Sequence, residues 1–173
     1  MIDHPALRES WRIRAIQQTD RPALWAMLAR CSETSLHARF LGFSRDAGVA
    51  HVEELVTRTD HLSLVAEAQD RDVVAVGSVL LDGKTSGELV LLVEDRWQGK
   101  GIGSQLIDRL QIASEAAGIT TITAQVLTTN VRVHRIIARA CPQVTFSTPD
   151  CGVVEAVISL TGPVGSAHRP AAA

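Results

Sequence analysis

Glu88-Leu-Val-Leu-Leu-Val-Glu-Asp-Arg-Trp-Gln-Gly-Lys-Gly-Ile-Gly-Ser104 carries an almost continuous apolar run into alternate glycines, and a helical pattern starts at once behind them. Such a run suits a strand buried on both faces, and so one central in its sheet. Gly99, Gly101 and Gly103 lack Cβ, which permits positive φ and lets another group approach the backbone closely. The first turn of the following helix presents unpaired N–H groups and the positive end of the helix dipole. Together these features predict a cradle for a phosphate anion, with Lys100 as a cation at its rim. A nucleotide P-loop requires Gly-x-x-x-x-Gly-Lys-Ser/Thr, which this stretch does not supply. The dinucleotide fingerprint requires Gly-x-Gly-x-x-Gly near the start of a βαβ unit, whereas this loop reads Gly-x-Gly-x-Gly behind three β-rich segments.

Outward from the loop, the pattern predicts an ordered series of elements. Downstream, Ile102, Leu106, Ile107, Leu110 and Ala113 recur at helical spacing, and Gly118 ends that helix. A strand follows over Thr120–Leu127, a helix over Val131–Ala140 with Val133, Ile136, Ile137 and Ala140 inward, and strands over Val144–Ser147 and Val153–Leu160. Upstream, Leu62–Glu67 and Val73–Leu81 read as strands joined by the turn Gln69–Asp72, and Asp82-Gly83 opens a hairpin turn leading through Thr85–Gly87 to Glu88. Trp11–Ile16 alternates as a strand, and Thr19 and Asp20 offer a cap to a helix with Pro22 in its first turn and Leu24, Trp25 and Leu28 on one face. Ser32 caps a short helix through Phe40, and Ala47–Arg58 is another. This order predicts an α/β (α+β) mixed sheet of about seven strands with helices on its faces. It forms one domain over residues 11–161, with a loose N-terminus over 1–10 and a disordered tail over 162–173.

The bulk composition narrows the field. The 173 residues are 46% hydrophobic and 21% charged, with a net charge of -2. That suits a soluble domain and gives no basic footprint for nucleic acid or an anionic membrane. No apolar run reaches the ~18 residues of a membrane helix, and the N-terminus does not read as a signal peptide. Cys31, Cys141 and Cys151 form no disulfide framework, which suits the cytoplasm. The six histidines have no paired ligand spacing, so no metal site is expected.

The loop resembles the acetyl-CoA loop of the GNAT superfamily of N-acetyltransferases, Gln/Arg-x-x-Gly-x-Gly/Ala, at Gln98, Gly101 and Gly103, and the Val93-to-Gln98 spacing matches that family's strand-to-loop register. The order of elements resembles the family's from about Arg12 to Leu160. The resemblance implies acetyl-CoA as acyl donor and a strand splayed from its parallel neighbour at the acyl-CoA site. Leu91, Leu92 and Val93 would offer backbone groups to the pantetheine arm, one N–H polarising the thioester carbonyl. Gln98, Gly99, Lys100, Gly101, Ile102, Gly103 and Ser104 would hold the pyrophosphate. Asn130 either approaches the cofactor, as in family members, or is a plain helix cap. Arg132, Arg135 and Arg139 make one basic face, either solvated or set against the adenosine 3′-phosphate.

Ser32-Glu-Thr-Ser-Leu-His-Ala-Arg-Phe40 and Asp95-Arg-Trp-Gln-Gly-Lys-Gly101 resemble two segments of bacterial protein lysine acetyltransferases of the superfamily. Those enzymes carry a glutamate, taken as general base, at the position of Glu88. An attacking amine must lose a proton, so a carboxylate near an apolar wall suits that role, although position alone also suits a solvated strand-end glutamate. Many relatives protonate the thiolate with a tyrosine. Here that position is Ile137 and the chain contains no tyrosine. Water or His134 could take the role, and a thiol of pKa about 8.5 leaves readily without help. His134 also suits surface or packing duty. Cys141 reads as a buried small hydrophobe. Arg39 and Phe40 either line the amine pocket or close their helix. The expected acceptor is a primary amine, a protein lysine or a small amine, and the expected assembly a monomer or homodimer. A non-catalytic acyl-CoA-binding module on the same fold is the competing function.

Overall fold

The computed structural model describes residues 10–41 and 45–160, Arg45 by its backbone alone. The expected loose N-terminus and disordered tail fall, apart from Ser10, outside the described residues. In chain order the elements are β1 (Trp11–Ala15), α1 (Arg21–Arg30), α2 (Glu33–Phe40), α3 (Arg45–Thr57), β2 (His61–Ala68), β3 (Val73–Leu81), β4 (Ser86–Val93), α4 (Ile102–Ala116), β5 (Thr121–Leu127), α5 (Val131–Ala140), β6 (Thr145–Phe146) and β7 (Val153–Ser159). The seven strands form one sheet in the order β1-β2-β3-β4-β5-β7-β6. All neighbours are antiparallel except β4 and β5. The apolar run therefore sits at the centre of a mixed sheet.

Period-two alternation sends successive side chains to opposite faces. Leu92, Val76 and Val65 meet Leu24, Met27, Leu36, Phe40, Val52 and Leu55 of α1, α2 and α3. Leu89, Val79, Ile122, Ala124 and Val126 meet Ile107 and Leu110 of α4 and Ile137 of α5. One face is thus covered by α1–α3 and the other by α4 and α5. On β4 this puts Glu88, Val90 and Leu92 toward α1–α3, and Leu89, Leu91 and Val93 toward α4.

Several boundaries and turns differ from the sequence expectation, each for a physical reason. Asp20 does not cap α1 through its side chain. Its carboxylate accepts from the Gln17 N–H at 2.8 Å and from both terminal nitrogens of Arg14 at 2.7 Å, so it is spent on the preceding turn. Gly87 belongs to β4 rather than to the turn, paired with Leu81. A Cβ there would stand 2.7 Å from Val79 Cγ1 and 2.8 Å from the Leu80 carbonyl oxygen, so only glycine fits. The strand read over Val144–Ser147 shrinks to Thr145–Phe146, an exposed edge that pairs only with β7.

Candidate active site

The parallel pairing of β4 with β5 stops early. It joins Ser86 with Thr121, Gly87 with Ile122 and Glu88 with Thr123, and goes no further although both strands continue. Beyond Glu88 the two strands part and open a gap in the middle of the sheet. On its other edge β4 stays paired with β3 up to Val93 opposite Ala75. The Glu94 N–H donates to the Val74 carbonyl at 2.9 Å, which fixes the phase of that antiparallel ladder. Leu92 and Val90 therefore direct their N–H and C=O groups to β3, while Leu91 and Val93 turn theirs toward the gap. Of the strand residues singled out from the sequence, Leu92 is the exception: its backbone faces Val76 and its side chain is buried under α1–α3.

At the end of β4 the chain makes a short turn over Asp95–Trp97 and enters the glycine loop. Gly99 has φ +78° and Gly101 φ +91°, and a Cβ at either would meet no protein atom within 4 Å. The backbone there is in the left-handed region and looks onto open space, as a close-approach cradle requires. The first hydrogen bond of α4 runs from the Gln105 N–H to the Gly101 carbonyl at 3.1 Å. The N–H groups of Ile102, Gly103 and Ser104 precede it and form the positive end of α4. The Ile102 side chain is buried in the core, so only its backbone serves the loop. Gly103 faces another way: an added Cβ would stand in ordinary contact, 3.4 Å from Leu91 Cδ2 and 3.7 Å from Ile136 Cδ1, so this position points into the packing of α4 on β4 and α5 and not into the opening. Lys100 is exposed and places its Nζ 4.7 Å from the centre of the Trp97 ring.

The Gln98 side chain is a tie. Its Nε2 donates to Ser35 Oγ and to the Val93 carbonyl, each at 3.0 Å, and its Oε1 accepts from Arg132 Nη1 at 2.7 Å. It thus joins α2 on one face, the end of β4 and α5 on the other face, across the mouth of the gap. Asp95 completes the joint. Its carboxylate accepts from Ser32 Oγ at 2.6 Å, the Ser32 N–H at 2.8 Å and Ser35 Oγ at 2.9 Å. Burial alone would raise the Asp95 pKa, but the bonds from Ser32 and Ser35 together hold it below the usual carboxylate value. Behind it, buried Glu94 accepts from Arg30 Nε at 2.8 Å and Arg96 Nε at 2.9 Å. The two segments quoted above for their resemblance, Ser32–Phe40 and Asp95–Gly101, meet here through side chains some 60 residues apart. No local pattern pairs Ser32 or Ser35 with Asp95, or Gln98 with Arg132, and the sequence reading missed these contacts.

Asn130 is the N-cap of α5, its Oδ1 accepting from the Val133 N–H at 3.3 Å. His134 donates from Nε2 to the Leu127 carbonyl at 3.1 Å, and its ring lies tilted against that of Phe146 with centres 5.3 Å apart. Ile137 is 1% exposed in the core. Cys141 is buried, and desolvation pushes its thiol up to about 11, which leaves it a packing residue. Arg135 and Arg139 lie exposed on α5. Glu88 is half-buried at the point where β4 and β5 part. It does not face a bare apolar wall: its charge acts on the guanidinium of Arg39, whose pKa burial lowers to about 10 against that attraction. No group of three or more potential metal-ligating side chains occurs among the described residues. No helix there is long and apolar enough to cross a membrane.

A central gap between parallel strands, with a glycine cradle and a helix N-terminus at its mouth, defines the fold of the acyl-CoA N-acetyltransferases. The sequence model of the acetyltransferase (GNAT) family matches residues 22–141, and the chain belongs to that family. The acetyltransferase Pat of Mycolicibacterium smegmatis is 33% identical over 73 residues, which are 38% of this chain and 22% of that protein, so the match spans about a fifth of the relative's length. The GNAT domain of S. lividans PAT superposes with a TM-score of 0.78 at 22% identity, covering 91% of this chain and 100% of that domain. The PaiA N-acetyltransferase of Thermoplasma acidophilum, solved with coenzyme A, gives 0.67 at 16% identity, covering 87% and 99%.

Proposed function

We propose that the chain transfers an acetyl group from acetyl-CoA directly to a primary amine, a lysine side chain of a protein before a small amine. The parting of β4 from β5 immediately after Glu88 carries this reading, because a carboxylate, outward-turned backbone groups and a glycine loop open to solvent all border the gap. Gly99–Ser104 would take the pyrophosphate on backbone N–H groups. The Leu91 N–H would donate to the thioester oxygen as negative charge builds on it, a contribution of about 3 kcal/mol in comparable sites. Glu88 would accept the proton that the amine sheds as its nitrogen bonds to the acyl carbon and the C–S bond breaks. The thiolate leaves without a tyrosine, which this chain does not contain. Resemblance of the two segments joined by Asp95 to those of protein lysine acetyltransferases supports lysine as the acceptor.

The test is turnover of acetyl-CoA with a panel of lysine peptides and small amines, read by thiol release and product mass. Acetylated product is expected. Tight coenzyme A binding without turnover of any amine would instead make the chain a non-catalytic acyl-CoA-binding module.

The tie at Gln98 gives a further expectation. Gln98→Leu removes three hydrogen bonds of about 1 kcal/mol net each, one of which immobilises Arg132. Coenzyme A affinity should fall about tenfold by calorimetry while thermal unfolding stays cooperative. Unchanged affinity would show that the loop holds its shape without the tie.

A further inference from the structure

The α1–α3 face of the sheet carries a second polar group beside Glu88. Helix α2 lies across β4 and β5 on that face and ends with Arg39 and Phe40. The Arg39 guanidinium sits over the Phe40 ring, 4.8 Å from its centre. Its Nη2 lies 3.1 Å from His51 Nε2 on α3. Since arginine can only donate, His51 Nε2 is the acceptor, and His51 must be neutral to serve as one. Burial, followed by the charges of Arg39 and His61, lowers His51 to about 3, so it remains neutral wherever an amine can react. Arg39 is therefore fixed by an aromatic face and a neutral ring, while the Glu88 carboxylate attracts it from beyond ion-pair distance. It makes no ion pair among the described residues. Among the described residues, one arm of its planar donor fork is committed to His51, a fork whose geometry suits an oxygen acceptor.

We propose that Arg39 is a specificity-determining residue that hydrogen-bonds an oxygen of the acceptor, a carboxylate or an amide carbonyl carried on the same molecule as the reacting amine. This rests on the transferase reading, since it takes the Glu88 side of the gap as the acceptor's side. The site then selects amines of amino-acid type, free or within a peptide. It discriminates against plain alkyl diamines and polyamines, whose second cation would meet Arg39 with repulsion and whose chain offers no oxygen.

Cadaverine, free lysine and Nα-acetyl-lysine amide test this, because they share one aminoalkyl chain and differ in the oxygen they carry. With the wild type, the two oxygen-bearing acceptors should show KM values about tenfold or more below that of cadaverine, the size of one charge-assisted hydrogen bond. Arg39→Gln should raise those two KM values by about tenfold and leave kcat and the acetyl-CoA KM in place, while the cadaverine KM falls as the repulsion is lifted. Arg39→Lys keeps the charge and most of the stem but not the planar fork, and should recover only part of the loss. Whichever of free lysine and the amide loses more identifies the carboxylate or the carbonyl as the group read. An equal effect of Arg39→Gln on all three amines, or an effect on kcat alone, overturns the proposal. Equilibrium binding of the same three ligands to the coenzyme A complex gives the answer without catalysis. Selective binding without turnover would refute the transferase reading and keep the Arg39 contact, whereas turnover or binding with no preference for the oxygen-bearing ligands would refute the contact alone.

Discussion

A folded Gly101→Val variant should lose coenzyme A binding by at least about a hundredfold, the largest change expected from any single substitution in the loop. Two effects combine. At φ +91° a β-branched residue is strained, at a cost of about 1–3 kcal/mol to the loop conformation that precedes α4. The new side chain would also project into the space where a phosphate must lie to reach the N–H groups of Ile102, Gly103 and Ser104. That space is clear of protein: a Cβ at Gly101 meets nothing within 4 Å. A loss of affinity in a folded variant therefore reports on the ligand's position rather than on a clash inside the protein. Gly101→Ala separates the two terms, since its methyl adds strain but little volume, and should lose less. Calorimetry with coenzyme A reads the affinity, and thermal unfolding checks the fold. Gly103→Ala is the matched control, because Gly103 faces Leu91 and Ile136 rather than the opening. Wild-type affinity in a folded Gly101→Val variant would remove the phosphate from this loop altogether.

The difference between Gly101 and Gly103 also shows how far the sequence could be read. Three alternate glycines look alike in one dimension, and only the backbone angles and neighbours separate a cradle from a packing contact. Elements were legible where a long periodic pattern left one choice. The β-branched run Val73–Leu81 and the amphipathic run Val131–Ala140 appear in the structure with the same bounds. Short or edge elements were not, because β6 has little apolar surface to mark it and exists through its pairing with β7. The central position of β4 was legible from its apolar run, but the level at which β4 leaves β5 was not, since both strands keep strand-like sequences past Glu88 and Thr123. Leu92 illustrates the limit. Its neighbours Leu91 and Val93 have the same chemistry, and the phase of the ladder alone turns their backbone groups to the gap and those of Leu92 to β3. The polar joint of Ser32, Ser35, Asp95 and Gln98 lay further out of reach, being made of common residues whose meaning comes from folding distant segments together.

Glu88→Gln should cut kcat/KM by about 10²–10⁴ at neutral pH, the usual worth of a positioned general base. The substitution keeps the shape and hydrogen-bonding reach of the side chain but removes its capacity to take up a proton. Coenzyme A affinity should not change, because Glu88 lies at the start of the gap and the glycine loop at its mouth. Loss of rate alone would not separate a base from a carboxylate that merely attracts the incoming ammonium or balances Arg39. The pH dependence does. A lysine-type amine titrates near about 10.4, so each unit of pH below that value multiplies the neutral fraction by roughly ten as pH rises. A variant lacking its base depends on that fraction, and its rate should climb steeply toward pH 10. The wild type, which removes the proton on the enzyme, should depend on it less, so its advantage narrows as pH rises. If Glu88 acts only by attraction, the variant's defect lies in the acceptor KM and not in kcat. A Glu88→Gln protein with undiminished kcat at pH 7 would assign proton removal to water.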